Sequence, residues 1–307
     1  MSANSSLNPD VVKTAIDDVF YQEHDFELMP GYVDATSPVV FNQETSDKAA
    51  EIVDIFQGGG LWDTIAEEGE ITQKTPRIGG QKTFTHTKPA AAILIPSEFF
   101  DDNMHGSWEM MVRNYARNAR KTRDRNAFAP FRNSITTELT YDGTTLLSDT
   151  HTNRGGFTID NKLASALSET SLNTAITQLI ELKSQDGVVG GDTPRVLLVP
   201  PALAKLAFEI TESELRSGTA NNDMNYYSTK YGIQVAVSEW LGAAGGGTDT
   251  QYYLLGRNHS IMRYVREGLS TKLVPPEISG NDVYKYTGKF REKVGALSFE
   301  GIVGYNV

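Results

Sequence analysis

The chain has 307 residues, 39% hydrophobic and 22% charged, with a net charge of −11 and no cysteine. This balance allows a sizeable core and about two domains, and it excludes disulfides, thiolate metal sites and a cysteine nucleophile. An acidic chain is a poor general binder of phosphates, no run approaches the ~18 apolar residues of a membrane span, and the start MSANSSLNPD lacks the regions of a secretory signal.

The charge is unevenly spread. Residues 1–103 hold 6 Lys+Arg against 18 Asp+Glu, whereas residues 104–135 hold 7 against 2. Residues 9–23 have the spacing of an amphipathic helix, with Val12, Ala15, Ile16, Val19 and Phe20 on one face. Pro9 suits its first turn, and Asn8 suits a cap. Residues 24–44 are irregular around Pro30, Gly31 and Pro38, and a second short helix is predicted from Asp47 to Phe56, before Gly58, Gly59 and Gly60. Such a segment resembles an arm. The face of Ile16 and Phe20 has no obvious partner in the chain and is expected to dock on a neighbouring subunit or on the inner side of the assembly it belongs to.

Residues 67–97 are polar and Thr/Lys-rich, with Gly79-Gly80 as the predicted hairpin turn. Ile71, Ile78 and Phe84 are nearly its only large apolar residues. An isolated hairpin is marginal in water, so support from a neighbour is expected. Ala90–Ile95 then returns to the core.

A long helix is predicted over residues 98–128. Asp101 and Asp102 favour its first turn, and Arg120, Lys121, Arg123 and Arg125 its last turns. Met104, Trp108, Met111, Val112, Tyr115 and Ala119 form its apolar stripe. At ~1.5 Å per residue it spans roughly 38 Å, and Pro130 ends it. Arg113, Arg117 and Arg120/Lys121 recur at helical steps along one side. Acidic groups of neighbouring subunits are their expected partner, with DNA or plain solvent as alternatives.

Residues 136–166 are loop-rich. Beyond them the chain alternates in α/β fashion: a helix over Ser171–Ser184, a strand over Arg195–Val199, a helix opened by Pro200-Pro201, and strands at Ile233–Ser238 and Tyr252–Gly256. GAAGGGTDT between the last two is predicted to be a flexible loop. Strands recur over 271–307.

Little in the chain carries chemistry. Ser148, Asp149 and His151 lie too close in sequence to suggest a triad, and a structured loop is the better reading. The five histidines show no HExxH spacing, GQKTF lacks the phosphate-loop pattern, and Glu67–Glu70 has the character of a solvated acidic turn. Tyr226, Tyr227 and Tyr231 suit packing or subunit contact, since only Lys230 is basic beside them. Lys74, Lys82 and Lys88 could serve an isopeptide crosslink, but no partner Asn can be chosen. No enzyme activity, cofactor or metal is expected.

The order of elements resembles the tailed-bacteriophage major capsid proteins, whose fold herpesviruses and encapsulins share. LLSDTHTN, LSETSLNTAI, PRVLLVPPALAKLA and SEFFDD are similar to segments that recur in this order in a phage head-subunit subgroup. The resemblance implies an α+β tailed-phage major capsid fold: N-terminal arm 1–66, extended hairpin loop 67–97, peripheral domain with spine helix 98–166, axial α/β domain 167–270, and return strands of the peripheral domain 271–307. It implies a structural shell subunit that forms hexamers and pentamers around DNA bound without sequence specificity. Assembly is expected in the host bacterial cytoplasm, with a portal and a possible decoration protein as partners. Only 66 residues precede the hairpin, so a separate scaffold protein is expected. The alternative is an encapsulin-like cellular compartment. The residues expected at inter-subunit contacts are Gly79, Gly80, Lys82, Ile16, Phe20, Arg113, Arg117, Arg120 and Lys121.

Overall fold

The computed structural model describes all residues except 1–8, 26–27, 58, 76, 102–104, 153–155, 185, 214–224 and 277–281. The expectations for Asn8, Asp102 and Met104 therefore lie outside the described residues. In chain order the elements are α1 (Pro9–His24), β1 (Asn42–Thr45), β2 (Ala50–Gln57), β3 (Arg77–Thr85), β4 (Ala90–Pro96), α2 (Glu98–Asp101), α3 (His105–Ala127) and α4 (Ala129–Arg132). They continue with β5 (His151–Thr152), β6 (Thr158–Ile159), α5 (Glu169–Glu181), β7 (Pro194–Val199), α6 (Ala204–Thr211), α7 (Tyr226–Lys230), β8 (Gln234–Val237), β9 (Tyr252–Gly256), β10 (Ile261–Val274), β11 (Val283–Ala296) and β12 (Ile302–Tyr305).

Two four-stranded sheets organise the chain. One has the order β1-β10-β11-β4, the other β12-β9-β7-β8. The second contains β7, β8 and β9, from the segment expected to form the axial domain, together with β12. Its strands are buried, as near-continuous apolar runs such as VLLV and YYLLG require. Leu172, Ala175, Ile176 and Leu179 of α5 pack on it. Ser168 caps α5 through a reciprocal bond with Ser171. A middle core around Phe41, Phe128, Phe131, Leu198, Tyr253 and Ala296 joins the two sheets. On the first sheet lie α3 and α1.

The predicted boundary at 270 falls inside β10, and β12 pairs with β9 of the second sheet. Alternation marks strands but not their partners. The segment Asp47–Phe56, predicted as helix, contains strand β2 instead. Its Ile52, Val53 and Ile55 are β-branched, and eight residues are too few for periodicity to separate helix from strand.

Nor is Gly79-Gly80 a turn. It lies within β3, which pairs antiparallel with β2 from Ala50↔Thr85 to Gln57↔Arg77. The register shifts between Ile55↔Gly80 and Phe56↔Ile78, so Gly79 is the extra residue of a β-bulge. A Cβ on Gly80 would lie 2.2 Å from the Tyr141 ring, so this position needs glycine for close approach. The arm is therefore β2 and β3, and its distal end is the segment 59–75.

The loop GAAGGGTDT is packed rather than loose. Ala243 N–H donates to Asp249 Oδ1 at 2.9 Å, and Arg132 donates to the Gly245 carbonyl. A Cβ on Gly247 would strike the Leu241 carbonyl at 2.1 Å.

Candidate assembly interface

The root of the β2–β3 arm is anchored on its own chain. Phe84 is fully buried, with its ring 5.1 Å from that of Tyr264. Lys82 Nζ donates to Glu138 Oε1 at 2.9 Å and to the Leu139 and Ala296 carbonyls, each at 2.5 Å. Burial pushes the Lys82 amine down, and Glu138 opposes that shift. So enclosed, Lys82 anchors the arm and is withdrawn from the surface, which speaks against its use in a crosslink.

Past the root, the apolar side chains are uncovered. Ile52 is 58% exposed, Phe56 65%, Leu61 71%, Trp62 94% and Ile71 77%. Covering one such side chain is worth about 1.5–3 kcal/mol. Clustered exposure of this kind marks an interaction surface. The same segment is acidic. Residues 59–75 hold Asp63, Glu67, Glu68 and Glu70 against Lys74. Lys74 is used internally, 3.6 Å from Asp63 and donating to the Leu61 carbonyl. A turn closes from Gly69 N–H to the Ala66 carbonyl at 2.9 Å. It places Glu68 at φ +68°, the one non-glycine in the left-handed region among the described residues. Such a conformation costs about 1–2 kcal/mol.

The spine helix α3 has two faces. Trp108, Val112, Tyr115 and Ala116 are buried against Val12, Ile16 and Phe20 of α1. Phe20 lies 5.7 Å from the Tyr115 ring and 5.8 Å from that of Tyr286. Ile16 and Phe20, expected at an inter-subunit contact, are thus core residues of their own chain. The helical spacing identified the face, but its partner lies about ninety residues away. Arg117 Nε donates to Glu23 Oε1 at 2.6 Å, and Arg113 Nη1 stands 3.7 Å from Glu23 Oε2. The Arg117 bond holds the Glu23 carboxyl below the ordinary range. Two of the expected inter-subunit arginines therefore have an acidic partner within the chain. Arg123 approaches Glu292, which also receives the buried Arg263 guanidinium at 2.6 Å. Arg120 is half-buried, while Lys121 and Arg125 are exposed. Asp124, facing inward, accepts from Ala35 N–H at 2.9 Å.

Between α3 and the sheet a side chain bridges the paired strands β4 and β11. The Tyr115 hydroxyl donates to the Ala91 carbonyl at 2.8 Å and accepts from Gly288 N–H at 2.7 Å. Beside it lies a groove of about 260 Å³ lined by Pro89, Ala92, Ala119, Thr122, Leu269 and Phe290.

The 140–151 loop assembles no triad. His151 is fully buried and stacked on Phe299 at 4.2 Å. Its Nδ1 meets Asp142 at 2.8 Å and its Nε2 the Leu146 carbonyl at 3.2 Å, so each ring nitrogen lies on an acceptor. The Ser148 hydroxyl meets Thr150 instead. Burial pushes the Asp142 carboxyl up, but bonds from His151, Thr140 and Thr144 outweigh it and hold the group well below the usual range. Among the described residues no cluster of His, Asp and Glu could hold a metal ion.

An arm with an exposed end, a long helix on one four-stranded sheet and a second four-stranded sheet joined to the first through a common core are the parts of a subunit that neighbours complete. A sequence model of the phage capsid protein family matches residues 97–303, more than half of the chain, and the chain belongs to that family. No curated protein matches the chain in sequence. Among solved structures it is similar to the mature capsid of bacteriophage PhiM1, with a TM-score of 0.58 at 11% identity over 92% of this chain and 91% of that one. It is also similar to a virus-like particle from Pyrococcus furiosus, with a TM-score of 0.55 at 9% identity over 95% and 98% of the two chains. A third is Microbacterium phage Oxtober96, with a TM-score of 0.54 at 14% identity over 92% and 94%. The fold is the expected α+β major capsid fold, and the protein is a structural shell subunit of the virion capsid.

Proposed function

We propose that the chain is the repeating subunit of a tailed-phage head, forming hexamers and pentamers around double-stranded DNA held without sequence specificity. It works by geometry and carries no catalytic activity. A portal and a separate scaffold protein complete the particle in the host bacterial cytoplasm. The observation that carries the proposal is the arm. Its root is locked by Lys82 and Phe84, whereas Phe56, Leu61, Trp62 and Ile71 beyond the root are uncovered by their own chain. A neighbouring subunit in a closed shell covers them.

Electron microscopy of the purified protein, alone and with a co-expressed scaffold, tests the proposal. Closed shells of defined size are expected. Dispersed monomers under both conditions would sink it. The encapsulin-like reading shares the fold, and the likeness to the Pyrococcus furiosus particle spans 95% of the chain. The family match favours the phage head. Native shells filled with protein cargo instead of DNA would reverse that preference.

A further inference from the structure

We propose that His86 is a proton-sensitive clasp at the joint of the β2–β3 arm. As a neutral ring it ties the two legs of the arm together where they leave the body, and as a charged ring it lets them part. The clasp belongs to the single subunit and does not depend on the shell reading.

Both legs leave the body at one place. The arm ladder ends at the pair Ala50↔Thr85. Beyond it, Ser46 N–H donates to the Val265 carbonyl of β10 at 3.0 Å. On the other leg, Thr87 exchanges two backbone bonds with Glu292 of β11, at 3.2 and 3.3 Å. Between these anchors His86 Nε2 lies 3.0 Å from Ser46 Oγ. His86 and Ser46 are 7% and 4% exposed, so the contact is shielded from water.

The network fixes which ring nitrogen carries the proton. The Ser46 hydroxyl donates to Glu51 Oε1 at 2.7 Å, and Lys48 Nζ stands 3.1 Å from Glu51 Oε2. These bonds hold the Glu51 carboxyl below the ordinary range, and an ionised carboxylate only accepts. Ser46 gives its one proton to Glu51, so His86 Nε2 is the donor to Ser46. The neutral ring then has a bare Nδ1, which is buried and has no partner. A proton added there is a buried donor without an acceptor. The charge also meets the guanidinium groups of Arg266 on β10 and Arg291 on β11, and only Glu51 on β2 favours it. Burial and the two arginines outweigh Glu51 and hold the ring below its usual 6.5. A leg released from the joint carries an ordinary histidine. The clasp is therefore fully closed above that ordinary value and weakens as pH falls below it.

Hydrogen exchange of the unassembled subunit at about pH 7.5 and about pH 5, corrected for the intrinsic effect of pH on exchange, tests the clasp. Acid should strip protection from β2 and β3 while β7 and β9 keep theirs. His86→Gln supplies an amide donor for Ser46 that takes up no proton, and its arm should stay protected at both values. Arg291→Gln should move the His86 titration, followed by NMR of isotope-labelled histidine, upward from its wild-type position. Three outcomes of the exchange experiment overturn the proposal: equal protection of the arm at both values, loss of β7 and β9 together with the arm, or an acid loss in His86→Gln equal to that of wild type. A wild-type His86 that titrates at or above 6.5 overturns it as well, and that reading holds even where His86→Gln fails to fold.

Discussion

Asp124 is a buried acid on a basic helix. Burial raises its carboxyl from 3.8 to about 6, and the amide of Ala35 opposes that only in part. Between these two values the folded chain holds a proton that the unfolded chain has released. Its contribution to stability therefore rises as pH falls through about 6 and levels off below the ordinary carboxylate value. Asp124→Asn keeps an acceptor for Ala35 without the charge. It should be more stable than wild type at pH 8 by on the order of 2 kcal/mol, with the difference closing in acid. Thermal unfolding across pH checks this, and a gap independent of pH would contradict it. Asp142 has the opposite sign, because its folded value is depressed. Its contribution is present above the ordinary carboxylate value and is lost as pH falls through its lower folded value. Asp142→Ala strips a partner from the buried His151 and should cost about 3–5 kcal/mol, measured by denaturant unfolding at neutral pH. A loss under 1 kcal/mol (about the value of an exposed pair) would show that the pair does not hold the loop.

At the scale of elements, α1 shows the limit of local pattern. Val12, Ile16 and Phe20 occupy one face at helical spacing, and that face is buried as predicted. The burial is against α3, β4 and β11 of the same chain. Ile16→Asp or Phe20→Asp should therefore destabilise the isolated subunit by more than about 3 kcal/mol, since each places an unpaired charge in a packed core. Equal unfolding midpoints for variant and wild-type monomers would return α1 to the inter-subunit role. The elements legible in the sequence were those with long or unambiguous patterns: α3 by its stripe, α5 by its helical spacing, β7 and β9 by continuous apolar runs. In β2 eight residues fitted both periods, and the pairing that decides between them lies on β3, with Arg77 opposite Gln57. Gly79-Gly80 had the composition of a turn. Its actual use, a bulge and a contact with Tyr141, depends on a residue about sixty positions away.

For the whole molecule, the arm divides at its root. Phe84 and Lys82 belong to the folded body, so a deletion that includes them should unfold part of it. Replacing residues 61–74 by a short turn removes only uncovered surface. That variant should keep the wild-type unfolding midpoint and fail to form shells, as read by sedimentation and electron microscopy. Normal shells from it would remove the arm's end from the assembly. Wild-type assembly should also weaken with ionic strength more than folding does, because exposed pairs are worth only ~0–1 kcal/mol each but repeat over many copies. Light scattering and unfolding measured over one salt series separate the two effects.

The sequence alone determined the long helix α3, most of the helices and strands between residues 167 and 270, the absence of cysteine chemistry and the opposition between an acidic N-terminal third and a basic helix. Each of these is written in composition or in a periodicity that a short window contains. Tertiary structure alone decided that α1 packs on α3 of its own chain, that Glu23 engages Arg113 and Arg117, that Lys82 is an anchor, and that β12 joins the sheet of β7, β8 and β9. The reason is physical. A periodic pattern states that a face must be covered, while the group that covers it is chosen by packing among residues far apart in the chain.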